Sequence, residues 1–519
     1  MNVYTRIRKG EYHDSVALML LTKELLAAPG VADAAIVMGT EANKAILADS
    51  GLLAEAAQDA EPNDLIISVR AASPEQATAA LAQAERLLQE RRAAQAGEGP
   101  LSRPKTLAAA LKMAPDANLA VISVAGRYAA REARTALEHG LHVFLFSDNV
   151  PLADEIALKK LALEKGLLLM GPDAGTSIIN GIALGFANAV PRGPIGIVGA
   201  AGTGIQGVSV GIAQGRSGVS QAIGVGGRDL SEEVGGLMMQ AALHALRDDP
   251  ETKVLCLVSK PPAPSVAQLI LETARASGRP TVVCFLGDDG RMAQAEGLFP
   301  VATLDEAAVV AAALARGDDP STALVEKRRA EGEFLAQADG IRARLNSEQK
   351  YVRGLFSGGT FCYETQLVLR DMVGPVHSNV PLAKGDKLAD SNRSVGHICV
   401  DLGEDEFTIG RLHPMLDNAL RIRRLLKEAE DPTTAVILLD VVLGYGAHPD
   451  PAGELAAAIR EARARARQAG RYLAVVAYIC GVAGDPQPLA EQVEKLRGAG
   501  AILAPTNVAA ARLAGHIVR

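Results

Sequence analysis

The stretch Ile197-Val198-Gly199-Ala200-Ala201-Gly202-Thr203-Gly204 decides how the rest of the chain is read. An apolar run ends in a glycine-rich turn, and Ile205–Gln214 continues with helical spacing. A strand, a tight turn and a helix start in that order make an anion site: the first helical N–H groups lack partners, the macrodipole is positive there, and glycine lets a phosphate approach the backbone closely. One such turn is weak, because any tight strand-to-helix turn favours glycine. The chain carries a second, at Gly354-Leu355-Phe356-Ser357-Gly358-Gly359-Thr360. Two turns in equivalent places of a duplicated fold could aim both helix starts at one point.

Outward from these turns the repetition continues. Val254–Pro262 parallels Val436–Tyr445, and Val282–Asp288 parallels Val475–Gly484, with spacings that grow as loop insertions in the later copy would make them grow. A charged helical connector, roughly 318–350, separates the copies. Upstream, apolar runs at Ala120–Val124, His142–Phe146 and Leu167–Met170 alternate with helical stretches, a βαβαβ pattern that predicts a parallel sheet. The first ninety-odd residues read as a small α+β unit. Its strands are expected at Val3–Arg8, Ala34–Met38 and Leu65–Val69, with helices over Ser15–Ala28, from Ala42, and from Pro74 behind an N-cap at Ser73. The polar tract Gln89–Pro104 reads as a linker.

The 519 residues are too many for one core, and about 100–200 residues per domain gives three or four. With 3% aromatic residues and no Trp, the composition suits parallel sheets under Ala/Leu helices better than a base-stacking surface. A net charge of −7 without a basic run argues against a nucleic-acid partner. No apolar stretch approaches the ~20 residues of a membrane span and the N-terminus lacks an apolar leader core, so a cytoplasmic protein is expected. Cys256, Cys284, Cys362, Cys399 and Cys480 are widely spaced with no CxxC, and three sit in strand-like runs, which reads as buried free thiols.

Residues of about 118–310 resemble the α subunit of succinyl-CoA synthetase, and about 350–519 the carboxy-terminal domain of its β subunit. The carriers are Met170-Gly171-Pro172-Asp173-Ala174-Gly175, for that family's GPNCPG, and the two glycine turns. With Met38-Gly39-Thr40 and Pro62-Asn63-Asp64, the whole chain resembles the FdrA family, a fused branch of this superfamily. The resemblance implies an α/β, succinyl-CoA synthetase-like fold in four parts: an N-terminal α+β domain over 1–95, a Rossmann-like, CoA-binding-type domain over 105–190, and two flavodoxin-like doubly wound domains over 193–320 and 350–519. It implies phosphate binding at Gly202, Thr203 and Gly204 and at Gly358, Gly359 and Thr360. The departures carry as much information. Gln294 stands where the family's phosphorylated histidine belongs, and Lys260, in Ser259-Lys260-Pro261-Pro262, stands where its orienting acid belongs. No ATP-grasp domain is present, and the CoA-binding glycine fingerprint is missing after the first strand, so CoA is a disfavoured ligand and no cofactor is assigned.

Three readings follow. FdrA-type proteins act with companion subunits of the same operon as an oxamate carbamoyltransferase in ureide and purine breakdown. That resemblance implies an oligomeric assembly exchanging carbamoyl phosphate and oxamate with oxalurate and phosphate. In it Lys260 would hold phosphate, and Arg411 or Arg228 would grip the carboxylate of a small substrate bidentately. His413, beside Arg411 in a polar cluster, joins the candidate catalytic set or serves only as a helix-entry residue. The second reading is an NDP-forming acyl-CoA synthetase with a separate ATP-grasp partner, and the third a non-catalytic anion-binding scaffold. Asp440, Tyr445 and His448 follow another strand at the edge where α/β sheets bind ligands. No metal is assigned, because His413, His448 and the nearby acids have no recognised ligand spacing.

Overall fold

A computed structural model describes residues 2–11, 13, 15–26, 28–97, 104, 106–288, 290, 293–409 and 411–519. The chain divides into two compact units: one comprises residues 1–105 with Asp405–Leu412, the other residues 106–404 with His413–Arg519.

In the smaller unit the strands Asn2–Arg8, Leu65–Ala71 and Val31–Met38 form an antiparallel sheet with Leu65–Ala71 in the centre. The helices Ser15–Leu26 and Pro74–Gly97 bury Leu18, Leu21, Leu25, Ala77, Ala80 and Ala84 against one face. Leu47, Leu52, Ala57 and Ala60 cover Ile66 on the other. Ser73 accepts the Gln76 N–H as the predicted cap. The tract read as a linker from Gln89 is helical as far as Gly97: its Ala, Gln, Glu and Arg residues are good helix formers and continue the pattern begun at Pro74. Residues 98–103 of that tract lie outside the described residues.

In the larger unit the predicted βαβαβ segment forms a parallel sheet of Leu119–Ile122, His142–Leu145 and Leu169–Met170. The two copies then share one topology. In the first, Arg192–Gly199 lies between Val219–Gly224 and Val254–Ser259, followed outward by Thr281–Phe285 and Leu298–Pro300, all parallel. In the second, Tyr351–Phe356 lies between His397–Asp401 and Thr434–Val442, followed by Ala474–Cys480 and Ile502–Ala504. Numbered within each copy, the order is 2-1-3-4-5, the doubly wound arrangement whose crevice opens at the carboxyl ends of strands 1 and 3. Both glycine turns stand at that crevice. All five cysteines are buried and unpaired.

The copies share a core that includes buried polar groups. Glu364, on the helix Gly359–Val373, accepts the Leu304 N–H and the Asn507 side-chain N–H, both at 2.8 Å. Burial, then the nearby Asp305, pushes its carboxyl from 4.5 up to about 7. The folded protein therefore keeps a proton that the unfolded chain gives up above about pH 4.5. This contribution is fully present below that pH and is lost as pH rises through about 7, amounting to about 3 kcal/mol. Thermal unfolding is expected at progressively lower temperature from pH 5 to pH 8. Glu364→Gln should flatten that slope, and calorimetry of the two proteins across the range checks it.

Candidate functional site

The first turn ends the strand Arg192–Gly199 and opens the helix Gly202–Gln214, whose N-cap is Ala201 and which no side chain caps. The second ends Tyr351–Phe356 and opens Gly359–Val373 with Gly358 at the N-cap. The two helix starts touch. The Thr360 N–H donates to Thr203 Oγ1 at 3.2 Å. A side chain at Gly358 would begin 2.8 Å from the Thr203 methyl carbon, and one at Gly204 would begin 3.1 Å from that of Thr360. Small residues are what allow this approach. On the far side, Gly175 of the predicted GPDAG stretch comes against Gly202, where a Cβ would stand 3.5 Å from the Gly175 Cα.

The helix starts differ in what fills them. At the second, the carboxylate of Asp440 accepts the Ser357 N–H at 2.8 Å, the Gly358 N–H at 2.8 Å and the Ser357 hydroxyl at 3.0 Å. Arg421, itself buried, pairs with Asp440 at 3.3 Å. The Asp440 side chain thus takes up the N–H groups of the second turn. Among the described residues no side chain caps the first helix start, so its N–H groups are the ones open to an anion.

Lys260 follows the third strand of the first copy and is exposed, with its ammonium 5.2 Å from the centre of the Tyr363 ring, one turn along the second helix from Thr360. It acts electrostatically on Asp401, the buried last residue of His397–Asp401. Burial first, then Glu404 and Asp440, push the Asp401 carboxyl up to about 7, against the opposing pull of the Gly403 N–H and Lys260. Gln294 is exposed on the loop after Thr281–Phe285; the loop leaves past Gly287, where a Cβ would stand 3.3 Å from Leu367 of the second helix. Arg291 and Met292 of that loop lie outside the described residues.

The remaining candidates sit elsewhere or are otherwise engaged. Arg228 pairs with buried Glu155 at 2.8 Å and donates to the Val150 carbonyl at 2.7 Å, so its guanidinium staples a loop to the three-stranded domain. Beneath it Lys159 is buried between Glu155 and Asp229, 2.8 Å from each. Arg411 is exposed on a segment that belongs to the smaller unit. His413 accepts the Met415 N–H through Nδ1 at 3.2 Å, and burial, then Arg421, push its imidazole down to about 4, so it is neutral at physiological pH. Its Nε2 would lie 2.6 Å from a Cβ on Gly403, which ties it to the loop after Asp401. His448 faces Glu454 at 3.3 Å, and Tyr445 is exposed while its backbone bridges to Ala187. Asp401, Arg421 and Asn379 escaped the sequence reading. An Asp closing an apolar strand at the carboxyl edge of a doubly wound sheet was the available signal for the first of them.

These features define a CoA-ligase-type α/β protein. A family model described as CoA binding domain matches residues 192–287, one described as CoA-ligase matches 355–517, and one described as AllF, heavy metal-associated domain, matches 1–104. The CoA-binding match falls on the first doubly wound copy, downstream of the 105–190 segment to which the resemblance assigned that role. The chain belongs to the family of YahF, an uncharacterized protein of Escherichia coli (strain K12), being 46% identical to it over 521 residues that cover 100% of this chain and 99% of YahF. Among solved structures, a dinucleotide-forming acetyl-coenzyme A synthetase of Ca. Korarchaeum cryptofilum is 16% identical with a TM-score of 0.33, covering 77% of this chain and 82% of its own. PH0766 of Pyrococcus horikoshii is also 16% identical, with a TM-score of 0.32, covering 80% and 86%. The heavy-metal description of the N-terminal match does not fit the donors present: residues 1–104 contain no cysteine and a single histidine, His13. Among the described residues no helix is long and apolar enough to cross a membrane.

Three substitutions separate the roles of the helix starts. Asp440→Ala leaves buried Arg421 without its counter-charge and two turn N–H groups without their acceptor, an expected cost of about 3–5 kcal/mol in urea unfolding. Gly358→Ala drives a methyl into Thr203, an expected cost of about 1–3 kcal/mol, whereas Gly202→Ala meets only ordinary contacts and should unfold close to wild type.

Proposed function

We propose that this chain is the phosphate-binding acyl-transfer subunit of an acyl-CoA-synthetase-type assembly, one that exchanges an acyl group directly between phosphate and an acceptor without a phosphohistidine. The observation carrying this reading is the contact between the two helix starts, with the first free of any capping side chain and Lys260 at the neighbouring strand end. Gln294 in the place of the histidine supports it, since an amide nitrogen cannot accept a phosphoryl group. Acyl transfer from phosphate needs the leaving phosphate held and its charge matched, which a helix N-terminus and an ammonium supply. Among acyl groups, carbamoyl is the one that the resemblance to FdrA proteins implies. On that reading the exchange is oxalurate plus phosphate with oxamate plus carbamoyl phosphate, and companion subunits complete the assembly. ATP-driven CoA thioester synthesis, fed by a separate ATP-grasp chain, is the competing outcome.

The test is phosphate-dependent formation of carbamoyl phosphate from oxalurate, and formation of acetyl-CoA from acetyl phosphate and CoA with release of phosphate. Each is run with the chain alone and with its operon companions. Turnover of either pair without ATP, and only with the companions, is the expected result. Lys260→Ala should then raise KM for phosphate about tenfold or more. ATP-dependent thioester synthesis accompanied by a phosphorylated form of this chain would overturn the reading.

A further inference from the structure

We propose that Asp401 is the general base of this transfer, taking the proton of the acceptor as it attacks the acyl phosphate. The inference rests on the reading above and adds a residue to it. Asp401 pairs with Phe356, the residue before the second glycine turn, and so stands at the carboxyl edge beside that turn. Asn379 fixes its backbone from both sides, accepting the Asp401 N–H at 3.0 Å and donating to its carbonyl at 2.9 Å. One carboxyl oxygen accepts the Gly403 N–H at 2.9 Å. The other faces Gly359, 2.5 Å from where a Cβ would stand, so glycine is what admits the carboxyl to the helix start.

Titratable groups surround it from several neighbouring elements. Glu404 and His413 belong to the loop behind it, Asp440 to the strand on the far side of Tyr351–Phe356 with Arg421 paired to it, Cys362 to the second helix, and Lys260 to the other copy. The balance leaves Asp401 titrating at about 7, where a carboxyl gains and loses a proton readily at physiological pH. Asp440, by contrast, is committed to the Ser357 and Gly358 N–H groups and to Arg421.

The step balances. The acceptor's thiol S–H or amide N–H attacks the carbonyl carbon, and the new C–S or C–N bond forms as the proton passes to Asp401. The C–O bond to phosphate breaks, and its electron pair leaves with the phosphate, held by the first helix start and Lys260. Asp401 then returns its proton to water.

The experiment is the pH dependence of kcat from pH 5.5 to 9 in the complete assembly, with carbamoyl phosphate and oxamate or acetyl phosphate and CoA. Wild type, Asp401→Asn and Asp401→Glu are compared. Wild type should show an ascending limb centred near pH 7. Asp401→Asn should lose about 100-fold or more in kcat together with that limb, while KM for the phosphate donor stays within about threefold. Asp401→Glu should keep the limb at reduced rate, and it decides the matter if Asp401→Asn does not fold. A wild-type assembly inactive with both donors overturns the functional reading and the base with it. An active wild type whose Asp401 variants keep both rate and limb overturns the base alone.

Discussion

Two helices that begin at the same point present two partial positive charges to each other, each about half an elementary charge, and the larger unit is organised around that conflict. The Thr360 N–H finds an acceptor in Thr203 Oγ1, which relieves one unpaired donor and fixes the distance between the ends. The carboxylate of Asp440 supplies the counter-charge for one end from within the protein, and Arg421 holds it there. The other end keeps its donors for something brought in. Duplicated as the topology is, the site it builds is therefore one-sided.

That closeness is prepared along the whole first helix. Gly204 and Gly207 face Thr360 and Phe361 of the second helix, while Gly211 and Gly215 face Ala308 and Ala312 of the helix Leu304–Arg316. Each glycine inside the helix weakens it by about 1 kcal/mol relative to alanine, so tertiary packing has to hold it. The helix is buried almost throughout, which is where that packing comes from. The segment leading into the first copy is latched with equal care. Asn188 donates to the Leu443 carbonyl at 3.0 Å and to Asp485 at 2.9 Å, and accepts from Gln206 at 3.2 Å. A connection between domains thereby becomes part of the core of the second copy.

The duplication, the strands at both glycine turns and the buried thiols were all legible in the sequence. They rest on local signals: apolar runs of strand length, glycines at a strand-to-helix turn, cysteine spacing. What escaped depended on partners far away in the chain. Whether Arg228 grips a substrate or staples a loop turns on Glu155, 73 residues earlier, as the 2.8 Å pair shows. The raised Asp401 requires knowing that Glu404, Asp440 and Lys260 converge on one strand end. The helix that carries Gln89 to Gly97 was misread because a polar, alanine-rich surface helix and a polar linker have nearly the same composition.

On the proposed reading, Lys260 and Gln294, standing where the resemblance places an acid and a histidine, amount to a transfer of charge between the copies. The resemblance implies a carboxylate on the first copy to orient an imidazole; here the first copy presents a cation at that strand end, and a carboxyl that titrates near neutrality, Asp401, closes a strand of the second. The cation lies at the next strand end from the uncapped helix start, where a phosphate is favoured, and the titrating carboxyl lies at the end already filled by Asp440, where a second anion is not. The acyl phosphate of the proposed reaction would be oriented by charge, its phosphoryl group toward the first copy and its carbonyl toward the second. That polarity suits one transfer in place, with the leaving group and the proton moving to opposite sides, and it removes the need for a phosphorylated residue to travel between two equivalent ends.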